Sequence, residues 1–94
     1  MSAVAFEIKS FGDWCYIRMV GREYGRIYNY NVISSYLQVD NDDFINNLKL
    51  YGGELLQLQF DKDEVILFFI DKEKAKVFIN EYLEPLLIAK QLSK

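Results

Sequence analysis

Histidine is absent from this 94-residue chain. The commonest general base near neutral pH, and the commonest metal ligand, are therefore missing. Cysteine occurs once, as Cys15, so no intrachain disulfide, thiolate zinc cage or Cys–His nucleophile pair can be assembled. Small secreted domains are usually stapled by disulfides, and Glu7 arrives too early for a secretory signal. The longest apolar run, Val65 to Ile70, falls far short of the ~20 residues a membrane-spanning helix requires. Basic charge is also scarce: 11 Lys and Arg against 14 Asp and Glu leave a net charge of −3. That balance argues against general nucleic-acid binding, which depends on basic surface. These shortages predict a soluble, cytoplasmic, non-enzymatic protein without cofactor, metal or membrane partner.

What is present is globular. Hydrophobic residues make up 51% and charged residues 27% of the chain, enough to build a core and unlike a disordered segment. The length suits one domain, residues 1–94. Val4 to Lys9 alternates apolar and polar residues, the pattern of a half-buried strand. Phe11-Gly12-Asp13 reads as a turn and Trp14 to Val20 as a second strand, closing an antiparallel hairpin. Gly21-Arg22-Glu23-Tyr24-Gly25 reads as another turn. Arg26 to Asn31 is a candidate third strand with Arg26, Tyr28 and Tyr30 on one face. Val32 to Val39 fits a helix and a strand equally well by spacing, and is read as a short helix.

Asp40 is an N-cap, with further acidic residues in the first helical turn, where the helix dipole favours them. Phe44, Ile45, Leu48 and Tyr51 form an apolar helical face, and Gly52-Gly53 ends it. Leu55 to Phe60 alternates again. Asp61-Lys62-Asp63 is a polar turn, and Val65 to Ile70, apolar throughout, suits a strand covered on both faces. Asp71 caps a long helix to about Leu92, which Pro85 should kink or divide. The expected fold is α+β: an antiparallel sheet of four or five strands with two helices packed on one face, in the order ββ(β)αββα. A weak internal repeat runs through it, Phe6 to Val20 over Leu56 to Ile70, with Asp13 over Asp63.

Motifs for chemistry fail on inspection. Asp40-Asn41-Asp42-Asp43 begins like a calcium loop, but Phe44 and Ile45 occupy positions that need a ligand and a glycine. Asp61-Lys62-Asp63-Glu64 gathers carboxylates at a hairpin tip, where no cleft separates their pKa values. The Gly21–Gly25 segment lacks dinucleotide and P-loop spacing. Cys15 alternates with Ile17 and Met19 and reads as a buried thiol.

One stretch stands apart. Residues 14–30 hold the single tryptophan and every arginine: Trp14, Tyr16, Arg18, Arg22, Tyr24, Arg26, Tyr28 and Tyr30. Such residues combine contact area with directed polar groups and dominate binding hot spots. They are also good strand formers, so a purely structural role competes with a binding one. Helices on one side of the sheet would leave Trp14, Tyr16 and alternate residues of Val65–Ile70 uncovered on the other, and a second copy of the chain is the simplest cover. The leading expectation is a protein-binding domain, a homodimer that docks on a larger protein. In size, charge and composition it is similar to phage-encoded inhibitors of host machinery such as anti-CRISPR proteins, with no motif behind the likeness. Two further readings are a binder of a phosphorylated or nucleotide ligand through Arg18, Arg22 and Arg26, and a minor structural subunit of a phage or bacterial assembly.

Overall fold

The computed structural model describes residues 4–21, 30–60 and 63–92. Strands β1 (Val4–Phe11) and β2 (Trp14–Gly21) form an antiparallel hairpin in which Phe11 pairs with Trp14 and Val4 with Gly21. Gly12 takes φ +60° at the first central position of the two-residue turn, a conformation that glycine adopts without steric cost and that matches strand twist. Strands β3 (Glu54–Phe60) and β4 (Asp63–Ile70) form the second hairpin, closed by the pair Phe60 and Asp63. The sheet order is β1-β2-β4-β3, so β4 lies between two neighbours.

Helix α1 spans Tyr30–Leu37 and α2 spans Asn41–Leu50. Helix α3 (Lys72–Phe78) runs through a π-helical turn (Ile79–Leu83) into α4 (Glu84–Leu92). The expected fold is corrected on two counts. Three helical rods, rather than two helices, pack on the sheet, giving the order ββααββα over the described residues. The candidate third strand, Arg26 to Asn31, is also overturned where it is described, because Tyr30 and Asn31 open α1. Tyr30, Ile33 and Leu37 recur at helical spacing, and burial of Ile33 and Leu37 in the core rewards that period over β propensity. The expected repeat shifts by one residue. The hairpin-closing pairs match Trp14, not Asp13, with Asp63.

Capping explains where the helices stop and start. The Asp40 carboxylate accepts from the N–H groups of Asp42 and Asp43, and that of Asp71 accepts from Glu73 and Lys74. Helices α1 and α2 end in the same Schellman arrangement. In α2, Gly52 holds φ +87°, and Gly53 N–H donates to the Leu48 carbonyl at 2.9 Å. In α1 the left-handed position is taken by Gln38, at φ +58°, and Val39 N–H donates to the Ser34 carbonyl at 3.0 Å. Pro85 neither breaks nor divides the last rod. The turn before it widens so that Glu84 N–H donates to the Ile79 carbonyl, five residues back, a local insertion that carries the rod past the missing proline donor.

All three rods cover one face of the sheet. Cys15, Ile17 and Met19 of β2 meet Ile33 and Leu37 of α1, Phe44 and Leu48 of α2, and Ala75, Phe78, Leu83 and Leu87 of the last rod in one core. Phe44 lies at its centre. Its ring stands edge-on to Phe78 (86°, centroids 6.1 Å apart) and to Tyr82 (68°, 6.1 Å), with Tyr30 also at 6.1 Å. Ser34, buried in α1, donates through Oγ to Asn41 Oδ1 at 2.5 Å and so ties the end of one helix to the start of the next.

Candidate functional site

The candidate site is the sheet face opposite the helices. Strand alternation sends successive residues to opposite sides, so burial of Cys15, Ile17 and Met19 in the core puts Trp14, Tyr16, Arg18 and Val20 on the open side. Across β1, Glu7 pairs with Arg18 and Lys9 with Tyr16. On the other flank, Tyr16 pairs with Phe69, Leu56 with Leu67 and Leu58 with Val65. Position 56 of β3 therefore belongs to the same side as Tyr16. This face is polar along β1 and apolar in sequence along β3 and β4. Trp14 is 51% exposed and Leu56 47% exposed, and among the described residues no helix packs on this side.

Electrostatics on the face are local. Arg18 Nε donates to Glu7 Oε2 at 2.9 Å, with Nη2 2.8 Å from the same oxygen, and Lys9 Nζ lies 3.8 Å away. The hydrogen bond from Arg18 is the main cause that holds the Glu7 carboxyl below its ordinary value, and the positive charges of Arg18 and Lys9 add to it against some desolvation. Arg18 is thus engaged by the Glu7 carboxylate.

The structure brings only part of the expected segment together. Trp14, Tyr16 and Arg18 share the open face. Tyr30 does not join them. It is half-buried at the start of α1, against Phe44 on the helix side. Arg22, Tyr24, Arg26 and Tyr28 lie outside the described residues. The acidic run at Asp40–Asp43 is exposed and serves the N-terminus of α2, while the turn residues Asp61 and Lys62 lie outside the described residues and Asp63 and Glu64 are strand positions.

Two contributors to the face, Glu7 and Leu56, were not singled out from sequence. Their signal was the alternation of Val4–Lys9 and Leu55–Phe60, read for its buried residues and not for the ones in between. Cys15 is buried on the opposite side, and burial, followed by the negative charge of Asp71, pushes its thiol up from the ordinary value. Among the described residues no group of three or more cysteine and carboxylate side chains is placed to hold a metal ion, and no helix is long and apolar enough to cross a membrane. No protein-family model matches the chain, and no curated protein or solved structure matches it.

Proposed function

We propose that this is a non-enzymatic protein-binding domain whose docking surface is the open face of its sheet. The observation that carries the reading is the one-sided covering of that sheet. Three rods pack on one face, and on the other an indole and a leucine stand half-exposed beside strands of apolar sequence. Large apolar side chains left uncovered on one face of a sheet are a feature of interaction surfaces where they form one patch. Aromatic side chains with adjoining Arg are the residue types that concentrate binding energy. The chemistry of the rest supports binding over catalysis: the only thiol is buried with a raised pKa, and the chain has no imidazole.

Site-specific photocrosslinking in cells tests this reading. A photoreactive amino acid at Leu56 or Ala5, both exposed on the open face, should give a discrete protein adduct. The same group at Asn46, exposed on α2, should not. Equal labelling from all three positions, or none from the face, would overturn the proposal.

A further inference from the structure

We infer that the groove between the end of α2 and the first turns of α3 takes an acidic peptide segment anchored by an aliphatic side chain. The site lies on the helical side of the protein, apart from the sheet face proposed above, and does not rest on it.

The groove holds about 440 Å³ and runs between residues 49–52 on one wall and Glu73, Lys74 and Val77 on the other. Ligand sites usually hold about 300–1,000 Å³. Three of its side chains serve neither core nor cap. Leu50 is 81% exposed, outside the stripe through which Phe44 and Leu48 seat α2 in the core. Val77 is 42% exposed, a β-branched residue on the outside of a helix, where its stiff side chain slightly disfavours the helical state. Lys74 stands in the first turn of α3, where the helix dipole disfavours a cation.

Packing brings the Lys74 charge to the groove. Gly52 holds the left-handed conformation that caps α2, and the Lys74 side chain lies across it. A Cβ at position 52 would stand 3.0 Å from Lys74 Cδ and 3.2 Å from its Nζ. The bare glycine therefore leaves room for the Lys74 stem to rest on the end of α2, with its ammonium beside Leu50 and Tyr51 in the groove wall.

Charge selects the occupant. Neither Lys49 nor Lys74 has a salt-bridge partner among the described residues. Glu73, the one carboxylate among the lining residues, is 3.5 Å from Lys76. Glu81, which adjoins the groove through Tyr51, accepts a hydrogen bond from the Tyr51 hydroxyl at 3.3 Å. The groove is thus locally positive on a chain of net charge −3. Two ammoniums repel a basic segment, which finds its complement at the acidic start of α2, whereas carboxylates find theirs here. A simple anion would leave Leu50 and Val77 unused. An aliphatic side chain flanked by carboxylates uses both the charge and the apolar wall.

The test uses the intact chain and a short fluorescent peptide of two leucines flanked on each side by glutamates. Fluorescence anisotropy should show saturable binding that weakens as salt is raised. Replacing the peptide's glutamates by lysines, or its leucines by serines, should abolish it. Leu50→Ser and, independently, Lys74→Glu should each lower the affinity by about tenfold or more, and Lys74→Arg should retain it. Leu92→Ser, at an 80% exposed leucine on α4, should change nothing. Amide shifts in NMR spectra should gather at residues 49–52 and 73–77. Circular dichroism establishes that each variant is folded, and Lys74→Gln carries the charge test should Lys74→Glu fail to fold. No saturable binding overturns the inference. So does equal binding of the lysine or serine peptides, or binding that survives both groove substitutions. Shifts confined to β1 and β2 would move the peptide to the sheet face and overturn the groove alone.

Discussion

Phe44→Ala should be among the most damaging single substitutions in this chain. The side chain is fully buried and is shared by all the helical layers, meeting Tyr30 of α1, Phe78 of α3 and Tyr82 of the π-helical turn. Truncating a core phenylalanine to alanine costs about 3–5 kcal/mol. A domain of 94 residues has a total stability of roughly 5–14 kcal/mol at the usual per-residue value, so the loss takes about a fifth of it or more. Phe44→Leu separates the two components of that cost. It keeps most of the apolar volume and loses the edge-on contacts to Phe78 and Tyr82, about 1–2 kcal/mol together. In urea, with a slope of about 1–1.5 kcal/mol per molar, the alanine variant should move the midpoint by about 2–5 M and the leucine variant by about 0.7–2 M. Protein concentration must be held fixed, since any self-association would add to apparent stability. A midpoint moved by less than about 0.5 M for alanine, or equal shifts for alanine and leucine, would refute the central position of Phe44.

Two further outcomes are expected. The Glu7–Arg18 pair should make acid stability sensitive to Glu7: its carboxyl titrates below the ordinary 4.5, so its contribution is present above that value and is lost as pH falls through the lowered one. The midpoint advantage of the unaltered chain over Glu7→Gln should therefore be full at neutral pH and shrink on acidification; an advantage that grows toward acid would overturn the pairing. Gln38→Gly should stabilise the chain by about 1 kcal/mol, because a residue with a Cβ is strained at the left-handed cap position, and a denaturant midpoint that does not rise would show that the cap conformation is not adopted.

Much of the secondary structure can be read directly from residue order. The alternation of Val4–Lys9 and Leu55–Phe60 marks strands, the Asp40 and Asp71 carboxylates mark helix starts, and Gly52-Gly53 marks a helix end. All of these are local signals, set within one turn or one hairpin. What failed depended on tertiary context. Residues 30–37 carry tyrosine, valine and isoleucine, whose β preference pointed to a strand at the start of the segment. Docking against Phe44 made the helical period the better one. Helix α1 also ends without glycine: Gln38 supplies the left-handed cap, so the usual stop signal was missing. Pro85 signalled a break that the structure avoids by widening one turn, an adjustment that depends on the whole rod remaining packed.

The candidate site was legible to a different degree, for a physical reason. A binding face on a sheet is defined by what the helices leave uncovered. That is set by which side they dock on, not by the residues of the face. Composition therefore drew the eye to the cluster of Trp, Tyr and Arg in residues 14–30, yet the face cuts across that cluster. Trp14, Tyr16 and Arg18 belong to it by alternation, while Tyr30 turns inward as a helix begins. The face continues instead onto β3, through Leu56, far away in sequence. The pair Glu7 and Arg18 shows the same thing at the scale of one contact. Each residue on its own is an ordinary charged strand position. Only the hairpin register sets them opposite each other and turns a free cation into a neutral, pre-paired element of an apolar surface.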